Sequence, residues 1–159
     1  MRKKILTLII VFFFACFISN YWFQFVLVQG DSMSPAYKPW KLIIINKRPD
    51  TLKSGDVIVF QCTGLNSILI KRIVACPGDT IQINDGILYV NGFDTREKFP
   101  YDYINYTGIA ESPITLKADE YFVLGDNLEY SKDSRNADIG CVKRSDILGI
   151  TLPQIPISR

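Results

Sequence analysis

Ile5 to Val28 is an almost unbroken apolar run at the start of a 159-residue chain, interrupted late by Ser19, Asn20 and Gln24. As a helix it would reach about 36 Å at ~1.5 Å per residue, enough to cross a hydrocarbon core of roughly 30 Å with some tilt. Arg2, Lys3 and Lys4 directly precede it, which favours a cytoplasmic N-terminus and an extracytoplasmic remainder. Tyr21 and Trp22 stand near its far end, where aromatic side chains settle at a membrane boundary. A cleaved secretory leader shares the basic start, but this run is too long and too aromatic, and no small-x-small site follows it. Ala15-Cys16 could suggest a lipoprotein cysteine, yet the apolar run continues well beyond it. The expectation is an uncleaved signal anchor over residues 1–28. No second run of membrane length occurs, so the C-terminus is expected to stay outside.

The remaining residues can hold one sizeable core. The chain has 18 Lys+Arg and 16 Asp+Glu, and the three cations before the apolar run leave the rest about neutral. Nucleic acid is thereby excluded as a partner, because binding it needs clustered cations to replace counterions. Histidine is absent altogether, which removes Ser-His-Asp and Cys-His catalysis and His-containing metal sites. No carboxylate spacing suggests calcium and no glycine-rich loop suggests a nucleotide, so no cofactor or metal is expected. Cys62, Cys76 and Cys141 fall outside the apolar run, and their odd number allows one bridge with a spare thiol or none.

Short runs rich in Val, Ile, Tyr and Phe recur between turn residues: 42–45, 57–60, 68–74, 81–83, 87–90 and 121–124. These predict a mainly β, antiparallel domain over 29–159. Asp85-Gly86 between two such runs is a hairpin signal, because a two-residue turn needs the positive φ that Asp and Gly tolerate, and Asn91-Gly92 marks another. The polar, tyrosine-rich stretch from about 93 to 117 reads as a small cap inserted between core strands.

With histidine absent, a nucleophile must be activated by Lys, an α-amine, a carboxylate or a metal. Ser32, in Gly30-Asp31-Ser32-Met33-Ser34-Pro35, lies four residues beyond the apolar run, so chemistry there would occur at the membrane surface. The same composition also makes an ordinary turn. Lys71, beside Arg72 in the strand-like Ile68 to Val74, is either partly buried or snorkels at a sheet edge. Burial would make it useful, because the pKa of Lys can be depressed whereas Arg stays charged. Gly125-Asp126-Asn127 through Ser131, Asp133 and Arg135 follows a strand, and Asp133 and Arg135 could pair on one face, or the segment is a solvated turn.

Taken together and in order, four segments resemble the boxes of the bacterial type I signal peptidases: Ser32-Met33-Ser34-Pro35; Gly55-Asp56 leading into Val57-Ile58-Val59-Phe60; Lys71-Arg72-Ile73-Val74 with Pro77-Gly78-Asp79; and Gly125-Asp126-Asn127 to Arg135. The resemblance runs from the anchor to about Gly149 and is nearest to Gram-positive members. It implies a single-pass membrane peptidase with an antiparallel β core and an inserted cap. Its substrates would be secretory preproteins, cut after small residues at −1 and −3, with membrane lipid and association with the secretion translocon as further partners. By the match Ser32 is the nucleophile, its backbone N–H an oxyanion donor, and neutral Lys71 the general base. Ser131 orients the lysine, and Asp126, Asp133, Arg135, Met33 and Gly30 fall at supporting positions. Many members carry Ser two residues before the nucleophile, where this chain has Gly30. The alternatives are a dedicated conjugal-transfer processing peptidase and an anchored β-domain that binds exported peptides without cutting them.

Overall fold

The computed structural model describes residues 2–99, 101 and 103–152. Helix α1 (Arg2–Trp22) leads directly into strand β1 (Phe23–Leu27). Strands β2 (Leu42–Asn46), β3 (Val57–Cys62), β4 (Ser67–Ala75), β5 (Thr80–Asn84), β6 (Ile87–Val90) and β7 (Phe93–Asp94) follow. A 3-10 turn, Gly108–Glu111, precedes β8 (Ile114–Thr115), β9 (Glu120–Leu124), β10 (Val142–Lys143) and β11 (Ile147–Thr151).

The strands form a seven-stranded sheet, ordered β1-β2-β11-β3-β4-β9-β10, and a four-stranded sheet, ordered β7-β6-β5-β8, with antiparallel pairing throughout. The mainly β antiparallel expectation is met. Asp85 and Gly86 take positive φ in the β5–β6 hairpin, and Asn91 and Gly92 do so in the next turn.

Why β3 reads as an unbroken apolar run is visible in its packing. Val57 and Val59 enter one cluster with Val28, Met33, Tyr37, Ile43, Ile45 and Ile70, while Ile58 and Phe60 enter another with Ile73, Tyr121, Val123 and Ile147. A strand buried on both faces loses the polar alternation of a half-exposed one. In β9 likewise, Tyr121 and Val123 face that second cluster and Phe122 and Leu124 a third, built with Ile81, Ile83, Leu88 and Phe99.

One expectation is corrected. The apolar run does not continue as a helix to Val28, because its last residues pair with β2 in the register Phe23↔Asn46 to Leu27↔Leu42. A continuous apolar segment carries no signal of where helix gives way to strand. From Ile5 to Trp22 the helix covers only about 27 Å at ~1.5 Å per residue, short of a hydrocarbon core of roughly 30 Å. Among the described residues no helix is long and apolar enough to cross a membrane, so the expected transmembrane span is not found.

Candidate active site around Ser32 and Lys71

Ser32 lies in the segment joining β1 to β2, which is fastened at several points. Val28 N–H donates to Lys41 O (2.9 Å), Trp40 N–H to Val28 O (2.8 Å) and Tyr37 N–H to Met33 O (2.8 Å). The Met33 side chain is fully buried, and the Tyr37 hydroxyl meets Thr151 Oγ1 of β11 at 2.8 Å. A last tie comes from the distant loop after β9, where Asn127 N–H donates to Ser32 O at 3.0 Å. Gly30 has φ +77°, a conformation that suits glycine, with open space where a Cβ would stand.

Lys71 comes from the middle of β4, opposite Ile58 of β3, and is only 2% exposed. Its Nζ donates to Ser32 Oγ at 2.7 Å and to Ile70 O at 2.9 Å. Burial in this apolar wall pushes the ammonium pKa down to about 8, against the opposing pull of the Asp133 and Asp126 carboxylates. Near neutrality Lys71 therefore exists in both protonation states.

The neighbouring Arg72 diverges to a different partner. Its Nε and Nη2 donate to the Asp126 carboxylate at 2.7 and 2.6 Å, and its Nη1 donates to Gly55 O at 2.7 Å. Asp133 and Arg135 form a second ion pair, wholly buried, with Arg135 Nε and Nη2 donating at 2.8 and 2.9 Å. Asp133 also accepts from Gly125 N–H at 3.1 Å, while Arg135 reaches the carbonyls of Tyr106 and Leu128. The pair thus ties the end of β9 to the segment before the 3-10 turn.

Ser131 does not hydrogen-bond the lysine: its buried Oγ has no hydrogen-bond partner among the described residues. It packs on Gly125, where an added Cβ would collide with both Ser131 Oγ and Ser32 O. Gly125 opens the last of the four segments singled out in the sequence, where the resemblance assigns it no role; its close approach to Ser32 O is a property of the folded chain.

Beside Ser32 and Lys71 runs a groove of about 400 Å³, walled by residues 26–29 and 67–71. Both walls are strand edges. β4 pairs with β3 over Ser67–Arg72, whereas its pairing with β9 begins only at Arg72, and β1 is the outermost strand of its sheet. Apart from Lys71, the groove is lined by uncharged residues.

A serine hydroxyl hydrogen-bonded to a buried lysine of lowered pKa, next to open strand edges, has the chemistry to supply a nucleophile and a base beside a surface that an extended peptide could pair with. The profile of the family described as "Signal peptidase, peptidase S26" matches residues 1–153. The chain belongs to that family. Signal peptidase I P of Bacillus subtilis subsp. natto is 32% identical over 153 residues, covering 89% of this chain and 81% of its own. Signal peptidase I of Bacillus amyloliquefaciens is 34% identical over 154 residues, covering 89% and 80%. The crystal structure of a signal peptidase I from Enterococcus faecalis V583 superposes with a TM-score of 0.50 at 28% identity, covering 65% of this chain and 98% of that one. Among S26 peptidases, then, this chain is a serine protease of the signal peptidase I kind. Its family boxes sit on β3, on β4, on the segment before β2 and on the loop after β9, which is why they are scattered in sequence and close in space.

Proposed function

We propose that the protein is a membrane-bound endopeptidase that removes N-terminal signal peptides from secretory preproteins after small residues at −1 and −3. The observation that carries this reading is the 2.7 Å contact between Ser32 Oγ and the buried Nζ of Lys71. The preprotein lies in the groove as an added strand, hydrogen-bonding the open edge of β4, with its small side chains against the uncharged walls. Neutral Lys71 takes the hydroxyl proton as Ser32 Oγ attacks the scissile carbonyl. The oxyanion is met by the Ser32 N–H, with no side-chain hydroxyl at Gly30 to assist it. The Lys71 ammonium then returns its proton to the leaving amine, and a water deprotonated by Lys71 releases the signal peptide from the acyl-enzyme.

Residues 1–28 are the anchor part in this reading, 29–159 the extracytoplasmic peptidase domain, and about 93–117 its cap. Membrane attachment is supported by α1, where Ile5, Leu6, Leu8, Ile9, Ile10, Phe12, Phe13, Phe14 and Phe17 are all exposed behind three cations in sequence. A helix slightly shorter than the bilayer is accommodated by local thinning and by snorkelling of flanking cations.

The test is cleavage of a detergent-solubilised preprotein bearing an Ala-x-Ala site by the wild type, Ser32→Ala and Lys71→Ala. Cleavage after the second Ala is expected from the wild type alone. Cleavage that survives Ser32→Ala refutes the nucleophile. Silence of all three across several preproteins at alkaline pH refutes the broad processing role.

A further inference from the structure

The outer end of α1 meets the body of the protein at a pocket that catalysis does not use. It has a volume of about 730 Å³, and its lining includes Tyr21, Trp22, Lys47, Arg48, Asp50 and Arg144. Three cations therefore face one carboxylate in a protein whose residues beyond the N-terminal tip are close to charge balance. Lys47 N–H donates to Trp22 O at 2.8 Å, so the basic loop is fixed directly to the end of the helix. The Arg48 guanidinium carbon lies over the Tyr21 ring, 3.6 Å from its centre, a cation–π contact that restrains the fork at the pocket it lines. Among the described residues neither Arg48 nor Arg144 has a carboxylate within ion-pairing distance.

We propose that this pocket binds the phosphate of an anionic phospholipid headgroup. The inference rests on the membrane-bound reading, which places Tyr21 and Trp22 at the lipid–water boundary. There a phosphodiester is the abundant anion, and guanidinium forks match its geometry. A headgroup with its own ammonium would be repelled by the same cations, so phosphatidylglycerol is favoured over phosphatidylcholine. Occupancy would fix the peptidase domain against the membrane at the junction where α1 passes into β1.

The test titrates the full-length protein, in mild detergent, with phosphatidylglycerol or phosphatidylcholine and counts bound lipids by native mass spectrometry. The wild type should prefer phosphatidylglycerol by about tenfold or more, Arg48→Gln/Arg144→Gln should lose most of that preference, and Arg48→Lys/Arg144→Lys should keep a large part of it. No preference in the wild type, or an undiminished one in the Gln variant, overturns the proposal. Inorganic phosphate alone is the parallel arm, read by the fluorescence of Trp22 in a Trp40→Phe background. A shift with phosphate in the absence of any lipid preference assigns the pocket to a free anion and overturns the lipid assignment. Thermal unfolding confirms that each variant is folded without reference to activity, and preprotein cleavage in lipid-free detergent is measured beside it. Failure to cleave and failure to select lipid are thus separate results.

Discussion

Acidification should switch this enzyme off by protonating one group. Lys71 titrates near pH 8, because burial lowers it more than Asp133 and Asp126 raise it. Half of the molecules then carry the neutral base at pH 8, about a tenth at pH 7 and about a hundredth at pH 6. If Lys71 is the base, kcat/KM falls tenfold per unit below its titration point, and the acid limb belongs to the free enzyme. The Asp126→Asn variant sharpens the argument, since losing a carboxylate that favours the ammonium moves the limb to lower pH, by up to about one unit. The assay is initial-rate cleavage of a substrate without titrating groups near its Ala-x-Ala site, from about pH 5.5 to about pH 9.5 in one detergent. A flat profile down to about pH 6, or a limb that moves upward in Asp126→Asn, would refute Lys71 as the base.

The same burial has a cost in stability. The unfolded lysine keeps its proton to about pH 10.5 and the folded one loses it near pH 8, so the penalty is complete below pH 8 and fades between the two values. Lys71→Met, inactive, should therefore gain about 2 kcal/mol or more at pH 7 by denaturant titration, and the gain should shrink toward pH 10. Gly125→Ala forces a methyl group against Ser131 Oγ and Ser32 O. It should cost about 1 to 3 kcal/mol and lower kcat more than it raises KM, measured by unfolding and steady-state cleavage. Asp133→Ala leaves the Arg135 guanidinium buried without its partner, and a loss of about 3 to 5 kcal/mol is expected in a denaturation experiment.

Much of the β core is readable from the chain. The runs at 42–45, 57–60, 68–74, 81–83, 87–90 and 121–124 all lie within strands, and Asp85-Gly86 and Asn91-Gly92 make the turns their φ values suit. β1 and β11 are not readable. Phe23–Leu27 continues an apolar helix without a break, and Ile147–Thr151 carries a glycine where its pairing with β3 shifts register. For the site, the ordered boxes name Ser32, Lys71, Gly125 and Ser131, but the close approach of Gly125 to Ser32 O and the lack of a hydrogen bond at Ser131 Oγ appear only in three dimensions, because close approach of two backbones leaves no mark on composition.

The sequence by itself determined the apolar start, the antiparallel strands, the exclusion of histidine chemistry and the family, since each is written in local residue order. The tertiary structure decided where α1 ends and which of two adjacent cations meets the serine. Lys71 and Ser32 are 39 residues apart and Arg72 and Asp126 are 54 apart, and nothing within β4 alone distinguishes their destinations. That choice is made by long-range pairing: β3 and β9 set the depth of β4, and the tie from Asn127 to Ser32 places the hydroxyl within reach of one cation while Asp126 holds the other.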